Sequence, residues 1–492
     1  MRWHQLKDSY GPTFAGTRAW QQYMDLIETE ARRLGVVDLK HNTFRYRRWH
    51  TSEWPDSSRW SLSIGGHPIE VANYGANSGT TGAAGVTADV VALTGDELSA
   101  MQDKSALRGK ILVLSIRPTH LLERISDWLY APPEYPFEVG QIVKSETSVF
   151  HSTVSQLFAA NFDGSLPFPK PHYLRLIKET GAAAVVVIFD MANARVNGLY
   201  SFPVPAIYNI PTLYLGRESG RELLQYLPRH KQATLTLRAQ IEETQAYQLA
   251  GFLPGRNYGT DKDEIVLMIS HTDGPSISQE NGPLGLLSIL HYFAQFDARQ
   301  RDKTLMLFLD SRHYIPNREA ALPDYNIDRV LGPGGPLAPA KGKLVASVHL
   351  EHLGQLEYRE LNGKYEPTGR MEIGGYYVTG YQGVIDLAEQ ALKDNHPLNQ
   401  VLRSADIPGV HGLSQGPWFG LGHHPRKLGI EAIASNMTFM GAYWSSAARL
   451  DYLDVDQFIR QTNVMTQIAA GFMGADISRL TRTKLTETAT EK

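Results

Sequence analysis

Residues 264–354 decide how this chain folds, because three apolar runs in it end in the same kind of residue: EIVLMISHTDG (264–274), TLMLFLDSRHY (304–314) and KLVASVHLEHLG (343–354). Each run is a continuous apolar stretch of strand length, the pattern of a parallel strand buried on both faces. Each closes on imidazole and carboxylate residues. Between the first two lies ENGPLGLLSILHYFAQF (280–296), which reads as a helix entered through Glu280 and Asn281. Strands starting near Glu264, Thr304, Lys343 and Ile430, interleaved with helical patterns, predict an α/β fold. Its sheet is mostly parallel and covered by helices on both faces, with the site at the carboxyl ends of the strands.

Upstream, Thr17 caps a helix whose apolar face is Trp20, Tyr23, Met24, Ile27, Ala31 and Leu34, with Gly35 as its stop. HNTFRYRRW (41–49) and WSLSIGG (60–66) alternate as strands do, so residues 1–73 form part of a larger unit. From about Tyr74 to Thr244 the composition shifts towards Gly, Ala, Thr and Val, and GKILVLSI, YLRLIKETGAAAVVVIFD and IPTLYLGRESGRELLQYL give a second α/β unit. The domain reading is therefore 1–73 with 245–492, interrupted by 74–244. An aromatic and proline-bearing excursion at about 117–171 includes Trp128–Phe137, read as packing or as a lid. Downstream, 355–380 reads as hairpin material, Gln382–Asn395 as a helix, 396–427 as an irregular pocket wall, and the pattern from Val455 to Phe472 as a closing helix.

Composition narrows the function. The chain has 492 residues, 42% hydrophobic and 20% charged, with a net charge of −3, which gives no electrostatic reason for a nucleic acid or an anionic membrane as partner. No stretch is long and apolar enough to span a bilayer, so a cytoplasmic location and a small-molecule or peptide-like substrate are the expectation; a homo-oligomer is compatible with the composition. With Cys 0, any metal is held by His, Asp and Glu. The candidate ligands are His271, Glu280, His313, Glu351 and His352, the palette of zinc, iron or manganese. Asp273, two residues after His271, suits a carboxylate that orients an imidazole.

The chain resembles the co-catalytic zinc metallopeptidases of family twenty-eight, with a middle unit similar to their inserted protease-associated domain. That family builds a two-zinc site from a His-x-Asp pair, an Asp-Asn-Gly turn, a Glu-Glu pair, an Asn-x-Asp strand end and a late His. On this pattern HTDG supplies His271 as ligand and Asp273 as its orienting carboxylate. ENG puts Glu280 at the bridging position. SRH puts Arg312 in place of the general base and His313 in place of a ligand Glu, and HLEHLG puts Glu351 at the ligand Asp, flanked by His349 and His352. The late His is replaced near Trp444.

The resemblance implies one divalent metal ion (zinc or iron, with manganese compatible) and not two. Arg312 stays protonated and cannot serve as a base, which leaves Asp310 as a stand-in and puts ordinary aminopeptidase chemistry in doubt. Arg312 binds a substrate carboxylate or oxyanion, or makes a structural salt bridge. If the strand continues, Glu351 and His352 point to opposite faces, so one of them, Glu351, faces the site. His411, His423 and His424 lie in the Gly-rich segment where the missing late ligand would be sought. Three functions are compatible with these residues: a metal-dependent enzyme hydrolysing an amide or related bond; a mononuclear non-hydrolytic enzyme with the two-His-plus-carboxylate set of non-haem iron; and a catalytically silent binding protein.

Overall fold

The computed structural model describes residues 1–117, 138–139, 173–200, 206–320, 327–404, 420–438 and 444–484. Most of the aromatic excursion, including Trp128–Phe137, lies outside them. Two large sheets organise the described residues. The first has nine strands in the order Val37–His50, Gln240–Leu253, Thr304–Asp310, Glu264–His271, Lys343–Glu351, Ala432–Thr438, Gly374–Val378, Gln400–Ser404 and Glu138–Val139. The four strands from Thr304–Asp310 to Ala432–Thr438 run parallel, and antiparallel strands flank them. This is the α/β architecture expected, with the parallel part at its centre.

The central strands are buried on both faces, which explains their unbroken apolar sequences. One face packs against the helices Arg18–Arg33, Gly282–Phe293, Gln382–Asn395 and Val455–Gly474. The other takes a thinner cover from Ile327, Val330, Leu331, Leu337 and Leu421. Thr17 caps its helix by accepting the Trp20 N–H at 3.0 Å. The helix Gly282–Phe293 is apolar almost all round because it lies between sheet and helix, and Pro283 suits its first turn. At Gly282 a Cβ would collide with the Leu350 carbonyl and the Ser270 hydroxyl, so glycine lets the helix start directly against the strand ends.

The second sheet has eight strands in the order His67–Ile69, Trp60–Ile64, Gln232–Leu237, Val86–Thr94, Ile111–Ile116, Ala184–Phe189, Thr212–Leu215 and Asn73–Tyr74. Trp60–Ile64 pairs with Gln232–Leu237, so this strand, which precedes residue 74, lies in the second sheet. The reason is packing: Trp60, Leu62 and Ile64 share a hydrophobic cluster with Leu235 and Leu237. That cluster also takes Phe14, Trp49 and Tyr314 from the first unit, so the two units meet across a common apolar surface. A further element was not evident in the sequence, the helix Arg2–Tyr10, whose buried residues are His4 and Lys7. No helix among the described residues is long and apolar enough to cross a membrane.

Candidate metal centre

Register brings the chemistry together. His271 pairs with Asp310 across one strand boundary, and Ile269 with His349 across the other, so the parallel strands deliver His271, Asp310 and Glu351 to one end of the sheet. The His271 Nε2 lies 3.1 Å from Glu351 Oε2. The strand ends at Glu351, and His352 adopts φ 52, a left-handed conformation that costs energy for a residue with a side chain. Strand alternation therefore stops where it would have turned His352 away. One ligand atom each from His271, Glu351 and His352 lie within 4.8 Å of one another, and all three residues are buried. Both Glu351 and His352 face the site. Asn281 holds this turn, accepting the Leu353 N–H at 2.9 Å and donating to the Leu353 carbonyl at 2.7 Å.

The hydrogen bonds fix proton positions. His352 Nδ1 lies 3.2 Å from the Thr438 carbonyl, which can only accept, so Nδ1 carries the proton and Nε2 presents a lone pair. The Gln279 amide nitrogen sits 2.8 Å from that Nε2. Glu351 Oε1 accepts the Leu421 N–H at 2.7 Å. With His271 Nε2 facing Glu351, His271 Nδ1 is left buried with no hydrogen-bond partner among the described residues. His313 stacks on His271 at 4.2 Å between ring centroids, and its Nε2 lies 3.4 Å from Gln279 Nε2. Burial pushes His271 and His352 down to about 3 and His313 well below the usual imidazole range. All three are thus neutral near pH 7, the state in which imidazole ligates a metal.

Glu280 stands apart from the three ligand atoms. Its Oε2 meets the Lys7 ammonium at 3.2 Å and the Thr13 hydroxyl at 3.3 Å, while Oε1 has no hydrogen-bond partner among the described residues. Burial pushes the Glu280 carboxyl up to about 8 against the pull of Lys7, and pushes the Lys7 amine down. Lys7 also donates to the Ser276 carbonyl at 2.7 Å. Gly274 leaves room for the Glu280 carboxylate, where a Cβ would overlap it.

The other sequence candidates have definite places. Arg312 pairs with Asp310, its Nε 3.3 Å from Oδ1, and Asp310 Oδ2 also accepts from Gln248 at 3.1 Å. Asp273 accepts the backbone N–H groups of His313 and Tyr314 at 3.0 and 2.7 Å, so it positions the loop that carries His313. His349 is sandwiched between the hydroxyls of Ser347 and Ser435, at 2.6 and 2.8 Å, within the sheet. His424 is buried in the short helix His423–Lys427. Trp444 packs in the hydrophobic cluster of the second sheet, and its carbonyl accepts the Tyr200 N–H. His411 and the side chain of His423 lie outside the described residues.

Two participants were missed in the sequence. Gln279, which touches His352, His313 and the Tyr314 hydroxyl, was signalled only by its place one residue before Glu280. Lys7 had no apolar pattern to mark it; its spacing of three from His4 puts both on one helix face.

The arrangement suits a divalent cation. Two neutral imidazoles and a carboxylate converge, and a buried imidazole nitrogen lacks any partner among the described residues. Comparison of the sequence with protein-family models and with curated proteins gives no match. Comparison of the fold does. A Peptidase M28 precursor from Shewanella amazonensis is similar at TM-score 0.62 and 14% identity, over 96% of this chain and 93% of that one. The zinc aminopeptidase BSAP of Bacillus subtilis is similar at TM-score 0.53 and 14% identity, covering 98% and 97%. An aminopeptidase from an Aneurinibacillus strain is similar at 0.53 and 13%, covering 96% and 93%. The chain has the fold of these peptidases along almost its whole length.

Proposed function

We infer that the chain is a metal-dependent enzyme of hydrolase type on an aminopeptidase fold, with one divalent ion held by His271, Glu351 and His352. The carrying observation is that one ligand atom from each lies within 4.8 Å of the others in a buried site. Three protein ligands leave a position open, as in catalytic zinc sites, and the fold's neighbours include a zinc aminopeptidase. Zinc bound there supplies a Lewis acid and a water of lowered pKa.

The chain's own residues prepare the site for that chemistry. Thr438 fixes the His352 tautomer, and Gln279 bridges His352 and His313. Arg312, paired with Asp310, directly precedes His313 in the chain, and its permanent positive charge is the group we assign to a substrate carboxylate or a developing oxyanion. The nearby carboxylates are held by partners: Asp310 by Arg312 and Gln248, Asp273 by two backbone N–H groups, and Glu280 by Lys7 through Oε2, with Oε1 unpartnered among the described residues. A base is needed to take a proton from a water nucleophile, so these pairings argue for weak turnover of ordinary aminopeptidase substrates and for a more specialised amide or related bond.

Metal analysis of the full chain tests this. About one zinc per chain, lost in His352→Ala together with His271→Ala, is the expected result; far less than one after reconstitution overturns it. Efficient cleavage of aminoacyl anilides would show that one of the engaged carboxylates acts as a base. A second reading draws on the ligand set itself. Two imidazoles and one carboxylate are also the set of non-haem iron enzymes, and iron with oxygen-sensitive activity would favour it.

A further inference from the structure

A cavity of about 220 Å³ opens between the two sheets, beside the metal centre. Its walls come from both units. Phe14, Trp49 and Tyr314 belong to the first and Tyr200 to the second, with Arg18 and Arg48 among the lining residues. Phe14 stacks on Tyr200 at 4.0 Å, and Tyr314 meets both rings edge-on at 5.8 Å. The volume exceeds the roughly 150 Å³ of an apolar cavity that takes benzene, enough for one ring with a short chain.

The polar groups are unevenly satisfied, in one direction. The Nε of Arg48 and the Nε1 of Trp49, both donors, are buried and meet no acceptor among the described residues. Trp49 is only 4% exposed, so leaving its N–H unmatched costs free energy that an acceptor would recover. Arg18 is exposed, and no ion pair joins it to any described residue. The acids of the lining are already engaged. Glu53 accepts the Tyr74 hydroxyl at 2.6 Å, with burial pushing its carboxyl up to about 7, and Asp273 accepts two backbone N–H groups. Unmet donors and guanidinium charge beside aromatic rings describe a receptor for an anion on a flat apolar body.

We propose that this cavity binds an aromatic carboxylate, its ring among Phe14, Tyr200 and Tyr314 and its carboxylate at Arg48, Trp49 and Arg18. Asp273 lines the cavity and also holds the His313 backbone, whose ring stacks on His271, so an occupant lies next to the metal centre. The cavity thereby anchors the acid end of the substrate. That catalytic meaning rests on the metal-centre reading; the binding does not.

The test is calorimetric titration of the full chain, metal-stripped and zinc-loaded, with 3-phenylpropionate, 3-phenylpropylamine and pentanoate as probes. The proposal expects saturable 1:1 binding of the aromatic acid in both forms, with binding of the amine and the aliphatic acid at least about tenfold weaker. Arg48→Ala should weaken the aromatic acid by about tenfold or more, with partial recovery in Arg48→Lys. Since Arg48 also meets Glu242 at 3.0 Å, Trp49→Phe serves as the gentler variant and should weaken binding by about threefold to tenfold with an unchanged melting temperature. No saturable binding of 3-phenylpropionate, equal binding of the amine, or unaltered affinity in both variants would overturn it. Binding intact with no metal retained sinks only the metal centre, whereas full metal content without binding sinks only the cavity.

Discussion

Both sheets have parallel strands at their centre, yet the carboxyl ends of those strands are used differently. In the second sheet Val86–Thr94, Ile111–Ile116, Ala184–Phe189 and Thr212–Leu215 run parallel and end in Thr94, Ile116, Phe189 and Leu215. Thr94 forms a capping box with Glu97, and Asp190, just past a strand end, pairs with Arg217, which also binds Glu360. Those ends start helices and join units. In the first sheet the corresponding ends carry His271, Asp310 and Glu351, all buried. Parallel strands bring their carboxyl ends to one edge in either sheet; the residue types placed there are what differ. The hydrophobic burial that fixes the strands is common to both, so it is no guide to which sheet works.

The comparison is broken most severely by His271→Ala. Metal affinity should fall by more than about 100-fold, since loss of an outer partner alone costs about 10–100-fold, and equilibrium dialysis against zinc reads it directly. Retention of metal would move the centre elsewhere. Next comes Lys7→Met, which leaves Glu280 buried without its partner. Breaking such a pair costs about 3–5 kcal/mol, here at the low end because the carboxyl can take a proton. Urea denaturation should show this, with Lys7→Met/Glu280→Gln regaining much of the loss. Asn281→Ala removes both bonds to Leu353 and should cost about 1–3 kcal/mol, with zinc binding about tenfold weaker because the His352 turn loosens.

Groups outside the metal centre should respond in stability and leave metal binding unchanged. Thr94→Ala is expected to cost about 1 kcal/mol through its lost cap and to leave zinc affinity unchanged. Glu53→Gln should have the least effect at acid pH. The Glu53 carboxyl, raised from 4.5 to about 7, favours the folded state fully below 4.5, and that contribution is lost as pH rises through about 7. The glutamine variant should lack this part of the slope in a melting-temperature series from about pH 4 to about pH 8. An identical slope would place the carboxyl in water.

Much of the fold was legible because its central strands have no polar face: Ile265–Ile269 and Leu305–Leu309 read as buried strands from composition alone. The helix Gln382–Asn395 followed from its apolar periodicity. The site was legible as a set of residue types at strand ends, and His271 and Glu351 do meet there. What escaped depended on backbone turns and on distant chain. A left-handed His352 reverses the expected facing, and no periodicity announces one such residue. Lys7 reads as a surface lysine until its helix is packed beneath the loop at Ser276, 269 residues away. Glu280 fits equally well as a ligand or as half of an ion pair, and only that packing supplies its partner.

The ribbon formed by Val37–His50 and Gln240–Leu253 ends in the facing pair His50 and Gln240. The chain thus leaves the first sheet and returns to it at positions about 5 Å apart, the separation a short hairpin turn spans. In evolutionary terms the stretch between them is a cassette joined at one seam: it supplies only the edge strand Glu138–Val139 of the nine-stranded sheet, so its exchange leaves the other eight strands in register, and substrate preference can then diversify without touching the residues that would hold the metal.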